Sequence, residues 1–201
     1  DLDRFVFDCV CRFYKETVLG SGRPLYIISV NVSRIGLMRP DFIKTYTEIR
    51  DSYRIPAGCI ELELTESLIL GDYKLFEKIV RECKRNGFLC SIDDFGAGYS
   101  SLNVLKSIYV DVLKLDRQFF LYGQDADRGQ KLVENIIAMA KALNIKTVAE
   151  GIEEKAMVEQ LRAMGCDAIQ GYVYAKPMSM EEFARFVDSW TAEGDGEEQC
   201  V

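Results

Sequence analysis

The sequence predicts an α/β fold whose strands run parallel, and three observations support this prediction. Six short apolar segments alternate with helix-like segments along the 201 residues. Such alternation is typical of parallel strands joined by right-handed helical crossovers. Each of the six strands ends on a polar side chain, and a chain of this length can bury one sizeable core. We therefore expect one domain with a polar site at the carboxyl ends of its strands.

The first half of the chain supplies three predicted helices and three predicted strands. In order they are a helix over 3–18, a strand over 25–32, a helix over 41–53, a strand over 59–65, a helix over 68–86 and a strand over 88–92. The apolar spacing in the first helix predicts a buried stripe formed by Phe5, Val6, Val10, Phe13 and Tyr14. Gly87 stands where glycine commonly ends a helix.

The second half continues the same alternation. We predict a short helix over 102–106, a strand over 110–115, a helix over 128–143, a strand over 145–149, a helix over 153–164, a strand over 167–170 and a helix over 179–190. Leu132, Ile136, Met139 and Leu143 form the predicted stripe of the longest of these helices. Ser179 and Glu182 have the spacing of a capping box. Residues 191–201 are acidic and predicted to be disordered, so the domain is expected to cover 1–190.

Composition excludes several classes of function. The chain has no histidine, which rules out catalytic triads and imidazole acid–base chemistry. Its net charge of −7 argues against a nucleic-acid polymer as partner, because no basic surface offsets phosphate repulsion. The seven cysteines have scattered spacing without a C-x-x-C pair. Such a set is typical of reduced thiols in a cytoplasmic protein.

The most informative stretch follows the third strand, where Asp93 and Asp94 are adjacent. Two neighbouring acids at a buried strand end repel each other and resist desolvation, and a divalent cation with oxygen ligands relieves both costs. Gly96 and Gly98 allow a tight turn close to a ligand. The alternative interpretation is a plain strand-to-helix loop in which Asp94 caps the next helix.

Polar side chains occupy the same place in all six strand–helix units. They are Asn31, Glu63 with Glu66 just beyond, Asp93 with Asp94, Lys114, Glu150 and Gln170. Each alone has an ordinary explanation, such as a turn residue, a surface amine or, for Glu61 and Glu63, a solvated strand face. Because all six positions coincide, we expect them to converge on one site. Its oxygen-rich composition favours Mg²⁺ or Mn²⁺, and two such ions could clamp a phosphodiester.

These motifs resemble the EAL domain family. They are NVS at 31–33, ELTE at 63–66, DDFGAGYSSL at 93–102, LKLD at 113–116, AEGIE at 149–153 and QGY at 170–172. They occur in the family's order and cover roughly residues 5–190. The resemblance implies a (β/α)₈ TIM-barrel-like fold that hydrolyses cyclic di-GMP to linear pGpG with two Mg²⁺ or Mn²⁺ ions.

Residue roles follow from the resemblance position by position. It implies that Asn31, Glu63 and Asp93 ligate the first metal ion. Asp93 would bridge to the second ion, and Asp94 would complete the second site.

The resemblance also assigns the remaining polar residues. Lys114 would orient the attacking water, and Glu150 would be the base or a further ligand near that water. Glu66 would hold the loop over 94–102, and Gln170 would support the site.

The sequence departs from the family pattern in one serious respect. The Glu-x-Leu motif, whose Glu is normally a ligand of the first metal, is absent, and six strands are two short of eight. We therefore expect a fragment of a longer protein, with a sensory or GGDEF-like domain, or a membrane anchor, allowed upstream. The first and last strands are then predicted edges, and bare edges recruit partners, so a homodimer or an aggregate is expected. Ala97 stands where the family more often has Thr, which is a mild change.

Two other functions fit the same residues. The first is a catalytically impaired EAL domain that binds cyclic di-GMP as a receptor. The second is a structural dimerisation module. Every motif position visible in this chain is intact, which favours the phosphodiesterase over both.

Overall fold

One parallel sheet organises the computed structural model, which describes residues 2–21, 25–65, 73–96, 109–121 and 126–192. Its strands are β1 (Ile28–Asn31), β2 (Ile60–Thr65), β3 (Leu89–Phe95), β4 (Val112–Leu115), β5 (Lys146–Ala149) and β6 (Ala168–Ile169). Each strand pairs with the next one along the chain, in the order β1 to β6. The sheet curves into a half-barrel, which confirms the predicted fold class.

The helices follow the strands as crossovers. They are α1 (Leu2–Tyr14), extended by a π-helical turn (Lys15–Leu19), α2 (Arg34–Leu37), α3 (Phe42–Ser52), α4 (Tyr73–Arg85), α5 (Ala126–Ala142), α6 (Lys155–Ala163) and α7 (Met180–Ala192). A 3₁₀ turn (Arg117–Phe120) follows β4. None of the described helices is both long and apolar enough to cross a membrane. The predicted helix over 102–106 and most of the predicted tail lie outside the described residues, and α7 runs two residues past the expected domain end.

Side chains of each strand alternate between two chemically different faces. The face that packs under the helices is apolar and buried, for example at Leu62, Ile92 and Leu113, each fully shielded from solvent. The opposite face points toward the axis of the half-barrel and carries most of the polar strand residues, beside a few apolar ones such as Val112. Register joins these inner positions across strands, since Asn31 pairs with Glu63 and Glu63 with Ser91. The sheet therefore separates the hydrophobic core from a polar interior.

The buried stripes predicted for two helices are only partly confirmed. In α1 the buried residues are Phe7, Cys11, Phe13 and Tyr14, whereas Phe5 is 64% exposed. Phe7 packs its ring 4.2 Å from that of Tyr46 and 6.1 Å from that of Phe88. In α5 the buried residues are Val133, Ile137 and Ala140, and the predicted Leu132 is 53% exposed. The end of the α1 stripe, at Phe13 and Tyr14, is therefore confirmed, whereas the buried stripe of α5 lies one position away from the predicted one.

Two aspartates tie adjacent strands together at the amino ends of the sheet. Asp111, just before β4, accepts the Cys90 backbone N–H of β3 at 3.0 Å and the Lys84 ammonium at 2.6 Å. Asp167, just before β6, accepts the Thr147 backbone N–H of β5 at 2.8 Å and the Thr147 hydroxyl at 3.0 Å. Both carboxylates accept a backbone N–H near the start of a neighbouring strand. These stabilising contacts therefore lie at the amino ends of the strands, whereas the predicted site lies at their carboxyl ends.

We expect Thr147→Val to lower the free energy of unfolding by about 1–3 kcal/mol, the usual value of two hydrogen bonds. Thr147 is 1% exposed, so valine keeps most of its packing and removes both bonds of the hydroxyl, the one it donates to the Asp167 carboxylate and the one it accepts from the Asp167 N–H at 3.3 Å. Urea denaturation measures the effect. Thr17→Val is the control, because the Thr17 hydroxyl donates only within its own helix, to the Phe13 carbonyl. Equal losses in the two variants would contradict the proposed strand tie.

The first and last strands are the edges of the described sheet, as predicted. β1 pairs only with β2, and β6 pairs only with β5. Between these two edges lies an apolar cavity of about 530 Å³ lined by α1, β1 and α7, together with residues 170–172. The Phe183 ring of α7 lies 6.1 Å from Phe13 and 6.5 Å from Tyr26, so α7 lies near β1 across this gap.

Candidate functional site

Lys114 lies at the centre of the polar interior. Its side chain is 3% exposed, and its ammonium forms ion pairs with Glu63 and, at 2.8 Å, with Glu150. Burial alone would lower the pKa of Lys114, but the Glu63 and Glu150 carboxylates raise it above its ordinary value. The lysine is therefore held charged between two acids from β2 and from the end of β5.

Strand register explains how Lys114 reaches Glu63 across an intervening strand. Ser91 of β3 pairs with Glu63 on one side and with Val112 on the other. Ser91 is fully buried, and its small side chain leaves space above β3. The Lys114 side chain can therefore reach from β4 to Glu63 on β2. Lys114 is one inward-facing position beyond Val112, which sets its ammonium at the carboxyl end of the sheet.

A β-bulge places Asp93 and Asp94 together at the site. Between the paired positions Ile92–Leu113 and Phe95–Leu115, β3 has two residues where β4 has only Lys114. Asp94 has a left-handed backbone with φ of 55°, and its N–H donates to the Asp93 carboxylate at 2.9 Å. In a regular strand one of the two acids would point toward the helices. In the bulge both acids lie opposite Lys114 in the strand pairing.

The turn after the bulge is closely packed. Gly96 has φ of +92°, and a side-chain carbon there would overlap the ring of Phe119. Phe119 also stacks with Phe95 at a centroid distance of 6.4 Å. Glycine is therefore required at Gly96 both by the backbone conformation and by the close approach of the ring. Gly98 lies outside the described residues.

Carboxylates outnumber cations at this end of the sheet, and the pKa values of two of them show the effect. Burial raises the pKa of Asp94 above its ordinary value, and the neighbouring Asp93 and Asp116 raise it further. Burial also raises the pKa of Glu150, where Lys114 acts in the opposite direction and Asp93 and Glu63 add to the increase. One ammonium does not neutralise the cluster, so it favours an additional cation.

Among the other predicted site residues, Asn31 and Gln170 have no described side-chain contact with the cluster around Lys114. Asn31 ends β1 beside Glu63 in register, and its side chain is exposed. Gln170 follows β6, where its N–H donates to the Ala149 carbonyl at 2.8 Å, but its side chain is exposed and lines the apolar cavity. Glu66 lies outside the described residues.

Glu61 is a buried carboxylate that the sequence analysis interpreted as part of a solvated strand face. It is 5% exposed and faces the interior one step below Glu63. Burial raises its pKa, while the Ser91 hydroxyl and the Lys114 ammonium act in the opposite direction. Alternation along β2 indicated a polar face, but only the curvature of the sheet shows that this face lines an interior.

The donor set of the site fits a hard divalent cation. Asn31, Glu63, Asp93, Asp94 and Glu150 supply amide and carboxylate oxygens, which Mg²⁺ and Mn²⁺ prefer. As the side chains stand, no three histidine, cysteine, aspartate or glutamate residues within the described ranges converge to hold an ion. Glu63 and Glu150 are engaged by Lys114 instead, so the acids lie at the site in ion-paired form.

A parallel half-barrel with acids around one buried lysine at the carboxyl ends of its strands belongs to the class of TIM-barrel-like proteins. Within that class, the chain belongs to the EAL domain family, whose model matches residues 1–177. This confirms the family suggested by the motifs. Family membership relates the chain to cyclic di-GMP phosphodiesterases at about 30% identity.

Among curated proteins, the chain is 32% identical over 187 residues to the cyclic di-GMP phosphodiesterase NbdA of Pseudomonas aeruginosa. This alignment covers 92% of this chain and 24% of NbdA. It is 35% identical over 165 residues to the probable cyclic di-GMP phosphodiesterase PdeB of Escherichia coli, with 82% of this chain and 31% of PdeB covered. The chain thus spans about a quarter to a third of the length of these relatives.

Solved structures agree with the fold. The EAL domain of Mycobacterium smegmatis DcpA superposes with a TM-score of 0.86 at 31% identity, covering 94% of this chain and 85% of that one. The PaMucR phosphodiesterase in complex with c-di-GMP gives a TM-score of 0.83 at 31% identity, covering 90% and 73%. The half-barrel is therefore part of an EAL fold.

Proposed function

We propose that this chain forms the catalytic part of a phosphodiesterase that hydrolyses cyclic di-GMP to linear pGpG with two Mg²⁺ or Mn²⁺ ions. One observation carries the proposal: Lys114 is buried between Glu63 and Glu150 while Asp93 and Asp94 oppose it on the bulge. A structural module has no need to hold five ionisable groups at the carboxyl ends of its strands. The similarity to proteins named as cyclic di-GMP phosphodiesterases supports the choice of substrate.

The metal ligands are assigned from the positions of these residues in the EAL motifs. Asn31, Glu63 and Asp93 would hold the first ion, and Asp93 would share the second ion with Asp94. When bound, the ions would supply Lewis-acid activation of the phosphodiester and of water. Neutralising the cluster in this way also relieves the repulsion that raises the pKa of Asp94.

Lys114 would orient the attacking water, and Glu150 would accept its proton. The raised pKa of Glu150 brings it closer to the working pH, where a general base is most effective. Lys114, 2.8 Å from Glu150, holds that carboxylate in place and presents a hydrogen-bond donor to the water. Glu66 and Gln170 are assigned to support of the neighbouring loop and of the substrate.

Turnover and binding measured separately test the proposal. Cyclic di-GMP is incubated with the full-length protein and Mn²⁺ or Mg²⁺, and pGpG is followed by chromatography. Production of pGpG supports the phosphodiesterase. Cyclic di-GMP binding without turnover would overturn it in favour of a receptor, and neither activity would favour a dimerisation module.

We expect Asp93→Asn to weaken Mn²⁺ binding more than Asp94→Asn, because a bridging carboxylate serves two ions. Asparagine keeps the backbone in both variants: it can accept the Asp94 N–H at position 93, and it tolerates the left-handed backbone at position 94. The two variants therefore control for each other. Isothermal titration with Mn²⁺ gives the comparison, and equal losses would argue against the bridging role.

The same proposal includes a cytoplasmic homodimer. Within the described sheet β1 and β6 each pair on one side only, which supports association through their edges, and the free thiols of the six described cysteines support a reducing compartment. Light scattering of the purified protein tests the dimer through its mass.

A further inference from the structure

We propose that Asp3 is a positioning residue for Asn31, because its carboxylate fastens the turn that leads out of β1 at Ser33. The inference rests on the proposed function, in which Asn31 is a metal ligand. Asp3 lies on α1, far from Asn31 in sequence, and neither the motifs nor the roles assigned above include it.

Asp3 binds the turn through two donors. Its Oδ2 accepts the Ser33 backbone N–H at 3.2 Å and the Ser33 hydroxyl hydrogen in a short bond. The Ser33 Oγ in turn accepts the Gly36 N–H at 3.1 Å, as the N-cap of α2. One carboxylate therefore fixes both the backbone and the side chain of the residue two positions after Asn31.

Gly36 shows that the contact is close. A side-chain carbon at Gly36 would overlap the Asp3 carboxylate, although the backbone of α2 is ordinary helix there. Gly36 is also buried. The first turn of α2 is thus fitted against the Asp3 carboxylate, and a larger residue at Gly36 would displace that carboxylate from its place.

The place where β1 ends explains why such a fastening matters. Within the described residues β1 pairs with β2, and the Val32 N–H to Glu63 carbonyl bond, 3.1 Å long, is the backbone bond of this pairing that lies nearest to Ser33. The Asn31 side chain is exposed, so side-chain packing does little to hold it. Asp3 therefore holds the chain just beyond the point where β1 leaves the sheet.

An equivalent acid on the same helix provides a control. Asp8 accepts the Tyr53 hydroxyl at 3.2 Å, which ties α1 to the end of α3 and not to the turn after Asn31. Asp3→Ala and Asp8→Ala each remove one link between α1 and the rest of the domain. Only the first should affect Asn31.

The test is Mn²⁺ titration of the full-length protein by calorimetry, with hydrogen exchange of the Ser33 and Gly36 amides as a metal-free readout. We expect Asp3→Ala to weaken the tighter Mn²⁺ site about tenfold, the lower end for residues that orient metal ligands. Both amides should exchange faster. Asp3→Asn should recover most of the affinity because its amide oxygen still accepts both bonds, and Asp8→Ala should leave it unchanged.

A double variant separates positioning from general stability. In an Asn31→Ala background, Asp3→Ala should cause no further loss of Mn²⁺ affinity, because the two residues act through one ligand. A full additional loss there, or unchanged affinity in Asp3→Ala alone while the wild type binds Mn²⁺, would overturn this inference and leave the proposed function standing. A wild type that binds no Mn²⁺ would overturn both.

Discussion

Replacing Lys114 by methionine is expected to lower the free energy of unfolding of the metal-free protein by about 3–5 kcal/mol, the usual cost of removing one partner from a buried ion pair. Because methionine fills a similar volume, the loss of stability measures the effect of removing the charge. Glu63 would keep its burial, at 6% exposure, without the ammonium that neutralises it. Turnover should fall as well, since the same group orients Glu150.

The pH dependence of that loss has a definite sign. Burial already raises the folded-state pKa of Glu150 above its ordinary value, and Lys114 opposes this rise. Without the lysine the folded pKa rises further above the unfolded value of about 4.3. A carboxyl with a raised folded pKa gives full stability below its unfolded pKa and loses it as pH rises toward the folded pKa. The Lys114→Met variant should therefore lose stability increasingly above about pH 4.

Urea denaturation at several pH values, with and without Mn²⁺, measures the effect. Mn²⁺ should restore part of the stability of Lys114→Met, because a bound cation replaces the missing charge. Lys146→Met is the control, since Lys146 also begins on the inner face but is exposed at the opposite end of the sheet. If the two substitutions cost the same at neutral pH, the buried ion pairs do not have the role assigned to them.

The alternation of strands and helices in a parallel sheet could be predicted from the sequence, as could the place of several polar residues near the carboxyl ends of strands, because both depend on local pattern. Strand–helix alternation predicts a parallel sheet, and Glu63, Lys114 and Glu150 stand out because each lies near the carboxyl end of a strand. The bulge could not be predicted, since it depends on how β3 pairs with β4 on one side and β2 on the other. Sequence pattern accordingly ended that strand at Ile92, although it continues through Asp93 and Asp94 to Phe95.

Burial was predicted less well for a physical reason. In α5 two apolar stripes lie side by side, and the smaller one, with Val133 and Ala140, packs on the sheet while Leu132 faces out. Periodicity shows that a helix is amphipathic but does not select between adjacent stripes, because the partner surface makes that choice. The burial of Glu61 has the same origin, since a polar strand face is solvated in a flat sheet and enclosed in a curved one.

Glu150→Gln is expected to reduce turnover of cyclic di-GMP by about 10²–10⁴-fold, the contribution typical of one acid–base group. The amide keeps the size of the side chain and an oxygen that can accept the Lys114 hydrogen bond. It cannot take a proton from water. Binding of cyclic di-GMP should stay within about tenfold of the wild type, since a base that acts in the chemical step contributes little to ground-state affinity.

Chromatographic turnover and calorimetric binding of the same preparations give the two quantities. Glu153→Gln is the matched control: it lies three residues downstream and pairs with Arg117 at 2.7 Å on the surface. It should change turnover far less, because its partner is half exposed and it lies outside the Lys114 cluster. If Glu150→Gln kept more than about a tenth of wild-type turnover, the proton would have another acceptor. Lys114 carries a raised pKa and is not that acceptor, so another carboxylate of the site would then be the base.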